Sequence, residues 1–377
     1  MLRIIETYLR NNWTSFDVGP LSARVPLRSL LLTSGNGAHG KIVCLWWCGA
    51  DALPCLVVKF PRYPRDNDRL EVEYIALQQV HTHLPPDDTH APRPLGSELL
   101  DGVRVTVESV GRGRMLQAYL REHPLGYADE LCRLRPFAAW LTSLHARSAR
   151  PATPAEIQHH VVAPLATADI ALGLAAREVH GLTRLRDTAT RLAADTTLPL
   201  VFCHNDAGTP NVLVDQRGCF TDIIDWESGG MGPPVRDLFY FLARYAHETH
   251  GAHHGDQSRG FRELFFDELA VTDRPFGPSL VADWLGAYLR ELAVASDWLP
   301  VLFGLTWIMH ATNERAPHLQ RQPVAQGIPS HGKLDTMTAA QTDGTPPFGG
   351  HFRAQLRYYL ENIDACTALS LAMRAAS

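Results

Sequence analysis

The chain has 377 residues, 45% hydrophobic and 20% charged, which is enough apolar material for a sizeable core and excludes global disorder. At about 150 residues per domain the length allows two or three domains or lobes. With 35 Lys+Arg against 40 Asp+Glu the net charge is −5, which argues against a nucleic-acid binder and its concentrated basic surface. The N-terminus carries Arg3 and lacks a signal-type apolar run, and the longest apolar stretch, Leu299 to Met309, falls short of the roughly 20 residues a bilayer requires. The expectation is a soluble cytoplasmic protein with neither nucleic acid nor membrane as partner. Cys44, Cys48, Cys55, Cys132, Cys203, Cys219 and Cys366 form no CxxC pair, so they read as free thiols rather than as a zinc or redox motif. Lysine is scarce, occurring only as Lys41, Lys59 and Lys333, so a lysine in a motif position carries more weight than usual.

Residues 1–25 predict an amphipathic helix, Leu2 to Leu9, and a loop around Asp17 to Pro20. Strands follow at Leu30–Leu32, Ile42–Trp47 and Cys55–Phe60, the first two joined by the glycine-rich turn Ser34 to Gly40. A helix is expected from Arg69 to His83, with Val72, Ile75, Ala76 and Val80 at helical spacing, ended by Pro85-Pro86. Two more strands, Pro94–Leu100 and Val103–Val107, flank Asp101-Gly102. Five strands and one helix make a small sheet-rich lobe at 26–110. Helical signals dominate 111–377: a helix from Pro136, with proline at its start, to His145, an Ala/Leu-rich helix from Leu165 to Ala194, and helices again from Asp237. The long polar stretch Gln322 to Gly350 reads as a loop and His351 to Ala376 as a closing helix. The exception is a hairpin, Asn211–Val214 and Cys219–Asp225 around Asp215–Gly218. The fold class is α+β, with a small antiparallel sheet and a large helical part.

The informative stretch is Phe202 to Val214, which holds His204, Asp206 and Asn211 as H-x-D-x-x-x-x-N just before the hairpin, whose second strand delivers Asp225. This set suits phosphoryl transfer. One carboxylate orients or deprotonates an acceptor hydroxyl, while an amide oxygen and a second carboxylate hold a divalent cation against phosphates. Both are hard oxygen ligands of the kind Mg²⁺ takes. Turn and cap chemistry explains Asp and Asn singly, but not their joint placement around a hairpin with Lys59 upstream.

His204–Asn211 and Ile223-Ile-Asp-Trp-Glu227 resemble the catalytic loop and metal strand of the aminoglycoside phosphotransferase and choline kinase superfamily, small-molecule kinases with a two-lobe protein-kinase-like fold. The resemblance spans roughly residues 25 to 245. It implies Asp206 as catalytic base, Asn211 and Asp225 as metal ligands, and Asp237 as the aspartate that braces the catalytic loop. Lys59, ending an apolar strand, stands where kinases keep a lysine for the α/β-phosphates, with Glu73 preferred over Glu71 as its helix partner. Gly35, Gly37 and Gly40 would form the loop over the phosphates, though hairpins also need glycine. Glu108, opening Glu108-Ser-Val-Gly111, resembles the start of the hinge that reads adenine. The expected cofactors are ATP or GTP with Mg²⁺, and the expected partner is a small molecule with a hydroxyl acceptor, such as an antibiotic, sugar or nucleoside. Two departures stand out: Asn205 replaces the family's usual glycine, and Ala207-Gly-Thr-Pro replaces Leu-His-Pro-Gly.

His204 reads as a residue that orders the loop. His247, His250, His253 and His254 read as a solvated loop rather than a zinc site. Trp284, Trp298 and Trp307 read mostly as core. Only a dozen residues separate Asp225 from Asp237, which disfavours a protein kinase with a peptide-docking activation segment. A non-catalytic nucleotide sensor remains the rival from another class, and a metal-dependent hydrolase leaves Lys59 unexplained.

Overall fold

Ile5, Leu9, Trp13 and Phe16 recur at helical spacing and are all buried, so the first helix, α1 (Leu2–Phe16), runs about two turns past the expected Leu9. The structure is a computed structural model and describes residues 1–19, 25–33, 40–123, 127–251, 259–266, 278–319 and 350–376. Strands β1 (Leu27–Thr33), β2 (Lys41–Cys48) and β3 (Leu56–Pro61) pair antiparallel in sequence, with Leu30 opposite Leu45 and Val43 opposite Lys59. After α2 (Asn67–His83), β4 (Pro94–Leu100) and β5 (Val103–Ser109) turn back at Asp101-Gly102, both at positive φ. The order β1-β2-β3-β5-β4 places β3 at the centre, and its side chains are buried throughout. The four buried side chains of α1 join Trp46, Val58, Phe60 and Val107 in one core. The face of α2 differs from the expected one. Leu70, Glu73, Ala76, Leu77 and Val80 are buried, while Val72 and Ile75 are exposed. A carboxylate in the buried stripe hides the true face from an apolar count.

Next come β6 (Arg114–Met115), α3 (Leu116–Glu122), α4 (Tyr127–Ser148) and β7 (Arg150–Pro151). Pro136 lies inside α4, not at its start. Leu134, Phe137, Leu141 and Leu144 are buried along one face, which offsets the hydrogen bond that proline removes. Then follow α5 (Pro154–Ile157), α6 (Ala163–Leu172) and α7 (Ala176–Asp195). The single helix expected from Leu165 to Ala194 is two, broken at Gly173, whose φ of 59° is left-handed and ends α6. A strand that the sequence reading missed, β8 (Pro199–Cys203), pairs with β7 and with β11 (Gly230–Gly232). Buried along nearly its whole length, it lacks the alternation that marks a half-exposed strand. Between β8 and β11 lies the hairpin β9 (Val212–Val214) and β10 (Phe220–Ile223).

The remaining helices are α8 (Arg236–Ala246), α9 (Arg259–Phe266), α10 (Pro278–Glu291), α11 (Leu299–Leu319), α12 (His351–Glu361) and α13 (Thr367–Ala376). The expected closing helix is therefore two, separated by a short 3₁₀ turn at Ile363–Ala365. Residues 322–349 of the polar stretch lie outside the described residues. The architecture is α+β, a five-stranded antiparallel sheet accompanied by helices. Among the described residues no helix is long and apolar enough to cross a membrane. Cys44, Cys48, Cys55, Cys203, Cys219 and Cys366 are free thiols.

The chain divides into two compact units interleaved in sequence. One comprises Met1–Pro151 and Pro199–Thr249, the other Ala152–Leu198 and His250–Ser377. The second is a helical assembly in which α11 contacts α6, α7 and α12, while α10 packs on α13. Trp298 and Trp307 are fully buried there, and Trp307 meets Phe261 and Phe303 edge-on.

Candidate active site

The site is contained in the first unit, on the loop after β8, the β9–β10 hairpin, the central strand of the sheet and α2. Loop 204–211 is held from below by Asp237, in the first turn of α8. Its fully buried carboxylate accepts from His204 N at 2.6 Å and Asn205 N at 2.7 Å. Burial opposes charge on Asp237, but His145, 3.4 Å away, His204 and the backbone donors outweigh it and hold the carboxyl below its ordinary range. His204 is wholly buried, takes the Asp206 N–H on Nδ1 at 3.2 Å and meets Ile224 O through Nε2 at 2.9 Å. With Nδ1 accepting, the proton sits on Nε2, and both nitrogens are spent on ordering backbone.

Asn205 has a φ of 67°, left-handed, and its side-chain amide donates to Ser228 O at 2.6 Å. Asparagine tolerates that backbone better than most residues, so the departure from glycine keeps the turn. Asp206 is fixed by Asn211, whose Nδ2 donates to its main-chain oxygen at 2.9 Å and to Oδ2 at 3.0 Å. Burial raises the Asp206 carboxyl above its ordinary range, despite lowering contributions from His204 and from hydrogen bonds to Tyr240 and Asn211. Asn211 O accepts from Ile224 N at 2.9 Å, so the hairpin brings Asn211 next to Asp225. Asp225 itself has a φ of 69°.

Lys59 is buried between two carboxylates, Glu73 at 2.5 Å and Glu108 at 2.7 Å. Burial works against its charge, but Glu108 and Glu73 outweigh that, so the ammonium is held above the ordinary lysine range. Glu71 is exposed and faces Arg104 instead. The Glu108 side chain turns to Lys59, while Val110, Gly111 and Met115 after it line an apolar cavity of about 720 Å³ with Val43, Val57 and Ile224. Lys41, Lys59 and Asp225 stand at its polar side. A cavity of that volume, apolar with a few convergent charges, is of small-ligand size.

Lys41, to which the sequence reading assigned no role, completes the cluster. Its Nζ donates to Glu73 at 2.9 Å, to Glu227 at 3.0 Å, and to Asp225. It therefore joins the Lys59–Glu73 pair to the strand end that carries Asp225. Burial opposes ionisation of Asp225, but Lys41 and Lys59 outweigh it and its carboxyl is lowered. Two ammonium groups face four carboxylates here, so negative charge is in excess. The scarcity of lysine was the one signal that pointed to Lys41. Tyr240, one turn into α8, had none. Gly35 and Gly37 lie outside the described residues; Gly40 is described, and its carbonyl accepts from Arg62 N at 3.2 Å. His253 and His254, and the side chain of His250, also fall outside them, so the histidine group is not described beyond His247.

Residues 45–298 match the model of a family described as "Phosphotransferase enzyme family". No curated protein matches the chain. Solved structures similar to it include an ADP-bound aminoglycoside phosphotransferase APH(2'')-Ib, at 12% identity and TM-score 0.46, covering 84% of this chain and 92% of that one. A macrolide 2'-phosphotransferase type I gives 14% identity and TM-score 0.42, covering 79% and 92%. An ethanolamine kinase from Plasmodium vivax gives 11% and 0.41, covering 79% and 78%. The family match spans most of the chain, from within β2 through loop 204–211 to the residue before α11, and on that ground the chain belongs to the phosphotransferase enzyme family.

Proposed function

We propose that the protein transfers the γ-phosphoryl group of ATP, or of GTP, to a hydroxyl of a small molecule, with Asp206 as catalytic base. The observation that carries this reading is the convergence through Lys41. Lys41 ties the buried Lys59–Glu73 pair to Asp225 beside an apolar cavity, and Asp225 in turn lies near enough to Asp206 for their charges to interact. Family membership supports the reaction class.

The donor set suits Mg²⁺. Asp225 and Glu227 offer carboxylate oxygens, and Asn211, its Nδ2 committed to Asp206, has its amide oxygen left to offer. When bound, the ion would neutralise charge on the phosphate oxygens. The protein's own part is positioning. Lys59, held by two carboxylates, presents a fixed positive charge to the phosphates. Asp206, its rotamer set by Asn211, accepts the hydroxyl proton as the acceptor oxygen bonds to the γ-phosphorus and the bridging bond to the diphosphate breaks. Its raised affinity for a proton makes it a better base than a solvated aspartate, provided it is ionised. The acceptor is a small hydroxylated compound of the antibiotic, sugar or nucleoside kind.

The test is a phosphorylation screen with Mg²⁺ and ATP or GTP over such compounds, read as mass gain, with Asp206→Ala in parallel. One acceptor modified by wild type, and a loss on the order of a thousandfold or more in the variant with nucleotide binding kept, is the expected result. Near-wild-type turnover by Asp206→Ala defeats the assignment of the base. Nucleotide binding without transfer to any compound favours the sensor reading.

A further inference from the structure

The position of Lys41 is unusual for a residue that merely closes an ion pair. It opens β2, directly after Gly40, and precedes the stretch that matches the family model. An ammonium has three hydrogens to donate, and Lys41 directs hydrogen bonds to three carboxylates on two separate chain segments: Glu73 on α2, and Asp225 and Glu227 just beyond β10. One oxygen from each of these carboxylates lies within 4.8 Å of the others, a spacing that fits a single cation at the centre. Lys41 supplies that cation from within the chain.

We propose that Lys41 is a built-in counter-ion for the divalent-cation site, and that a divalent cation binds Asp225 and Glu227 only by displacing its ammonium. The proposal rests on the phosphotransferase reading for why a metal comes to this site, but not for its test. A divalent cation on Asp225 and Glu227 would take the place that the Lys41 ammonium now holds between the same two carboxylates, and repulsion at that range disfavours both being there. Of the two lysines, Lys41 is the one able to leave. Its side chain is 15% exposed and reaches the cluster on a flexible four-carbon stem, with Glu227 open to solvent beside it. Lys59 is enclosed, at 6%, between Glu73 and Glu108. Displacement leaves Lys41 at the polar edge of the apolar cavity, where its charge stays within reach of a bound phosphate. Lys41 is thus a positioning residue. It keeps the carboxylates paired while the metal is absent and hands them over when the metal arrives.

The measurement is Mn²⁺ binding to the nucleotide-free protein, followed by electron paramagnetic resonance of the free ion, for wild type and Lys41→Met. Removing the competing charge is expected to tighten Mn²⁺ binding by at least about fivefold. Equal or weaker binding by the variant overturns the proposal, as does the absence of Mn²⁺ binding in both proteins. A second readout uses wild type alone, which covers the case of a variant that does not fold. Amine acetylation mapped by mass spectrometry resolves the chain's few lysines. Lys41 is expected to become more reactive as Mn²⁺ is added while Lys59 stays protected. Unchanged or reduced Lys41 labelling at saturating Mn²⁺ overturns the proposal. Neither readout needs turnover, so a failed acceptor screen and a failed displacement experiment are told apart.

Discussion

Two backbone amides of loop 204–211, those of His204 and Asn205, depend on the Asp237 carboxylate. Because its folded-state proton affinity is lowered, its contribution is fully present above the ordinary aspartate range and is lost as pH falls through the lower folded value. Asp237→Asn keeps the shape but removes the charge, and an amide cannot serve both donors as well. A loss of about 3 kcal/mol at neutral pH is expected, from charge-assisted bonds to a fully buried group. Urea unfolding at pH 7 and again at about pH 3, below the ordinary carboxylate range, checks it. The gap between wild type and variant should narrow in acid, where the unfolded wild-type chain binds a proton at Asp237 that the folded chain resists. A gap that stays constant or widens would show that the carboxylate's charge is not what holds the loop. At the same scale, Val235 just before α8 sits at a φ of 69°, a genuine outlier for a β-branched residue, and is completely buried.

Among the elements, α7 and α12 approach one another as closely as backbones allow. A Cβ built on Gly181 would lie 2.2 Å from Leu360 O, so glycine in the middle of α7 is there for contact rather than for flexibility. Gly181→Ala gains about 1 kcal/mol of helix propensity but forces the two helices apart, at about 3 kcal/mol of overpacking. A net loss of about 2 kcal/mol in chemical denaturation is expected; a stabilised variant would mean that α12 can shift at little expense. β4 was legible to the residue because its boundaries are turns, Pro94 at one end and Asp101-Gly102 at the other. Loop 204–211 was legible because His204, Asp206 and Asn211 lie close together in the chain and hydrogen-bond one another. Pro136 inside α4, the break at Gly173 and the buried β8 were not, since each is decided by what packs against it. Beyond the scarcity of lysine, the role of Lys41 was hidden for the same reason: its partners lie 32, 184 and 186 residues away in the chain.

At the scale of the whole chain, the two compact units divide the labour unevenly. Lys41, Lys59, Glu73, Glu108, Asp206, Asn211 and Asp225 all belong to the unit formed by Met1–Pro151 and Pro199–Thr249. The family match stops at residue 298, so α11, α12 and α13 carry no part of the shared pattern. A ligand that binds only the folded first unit stabilises it by mass action, about 2.7 kcal/mol at a hundred times its Kd. Amide hydrogen exchange with and without ADP and Mg²⁺ locates that gain. Protection is expected to rise in β2, β3, β5 and the segment from His204 to Asp225, where the cavity and charge cluster lie. Amides in α7, α12 and α13, buried in a core of their own, should exchange at unchanged rates. Equal protection in both sets would mean that the units respond as one cooperative body, and that α11 to α13 are coupled to nucleotide binding despite lying outside the shared pattern. Protection absent from β3 and the His204–Asp225 segment would place the nucleotide elsewhere, and with it the phosphate lysine and the metal carboxylate would lose their assignments.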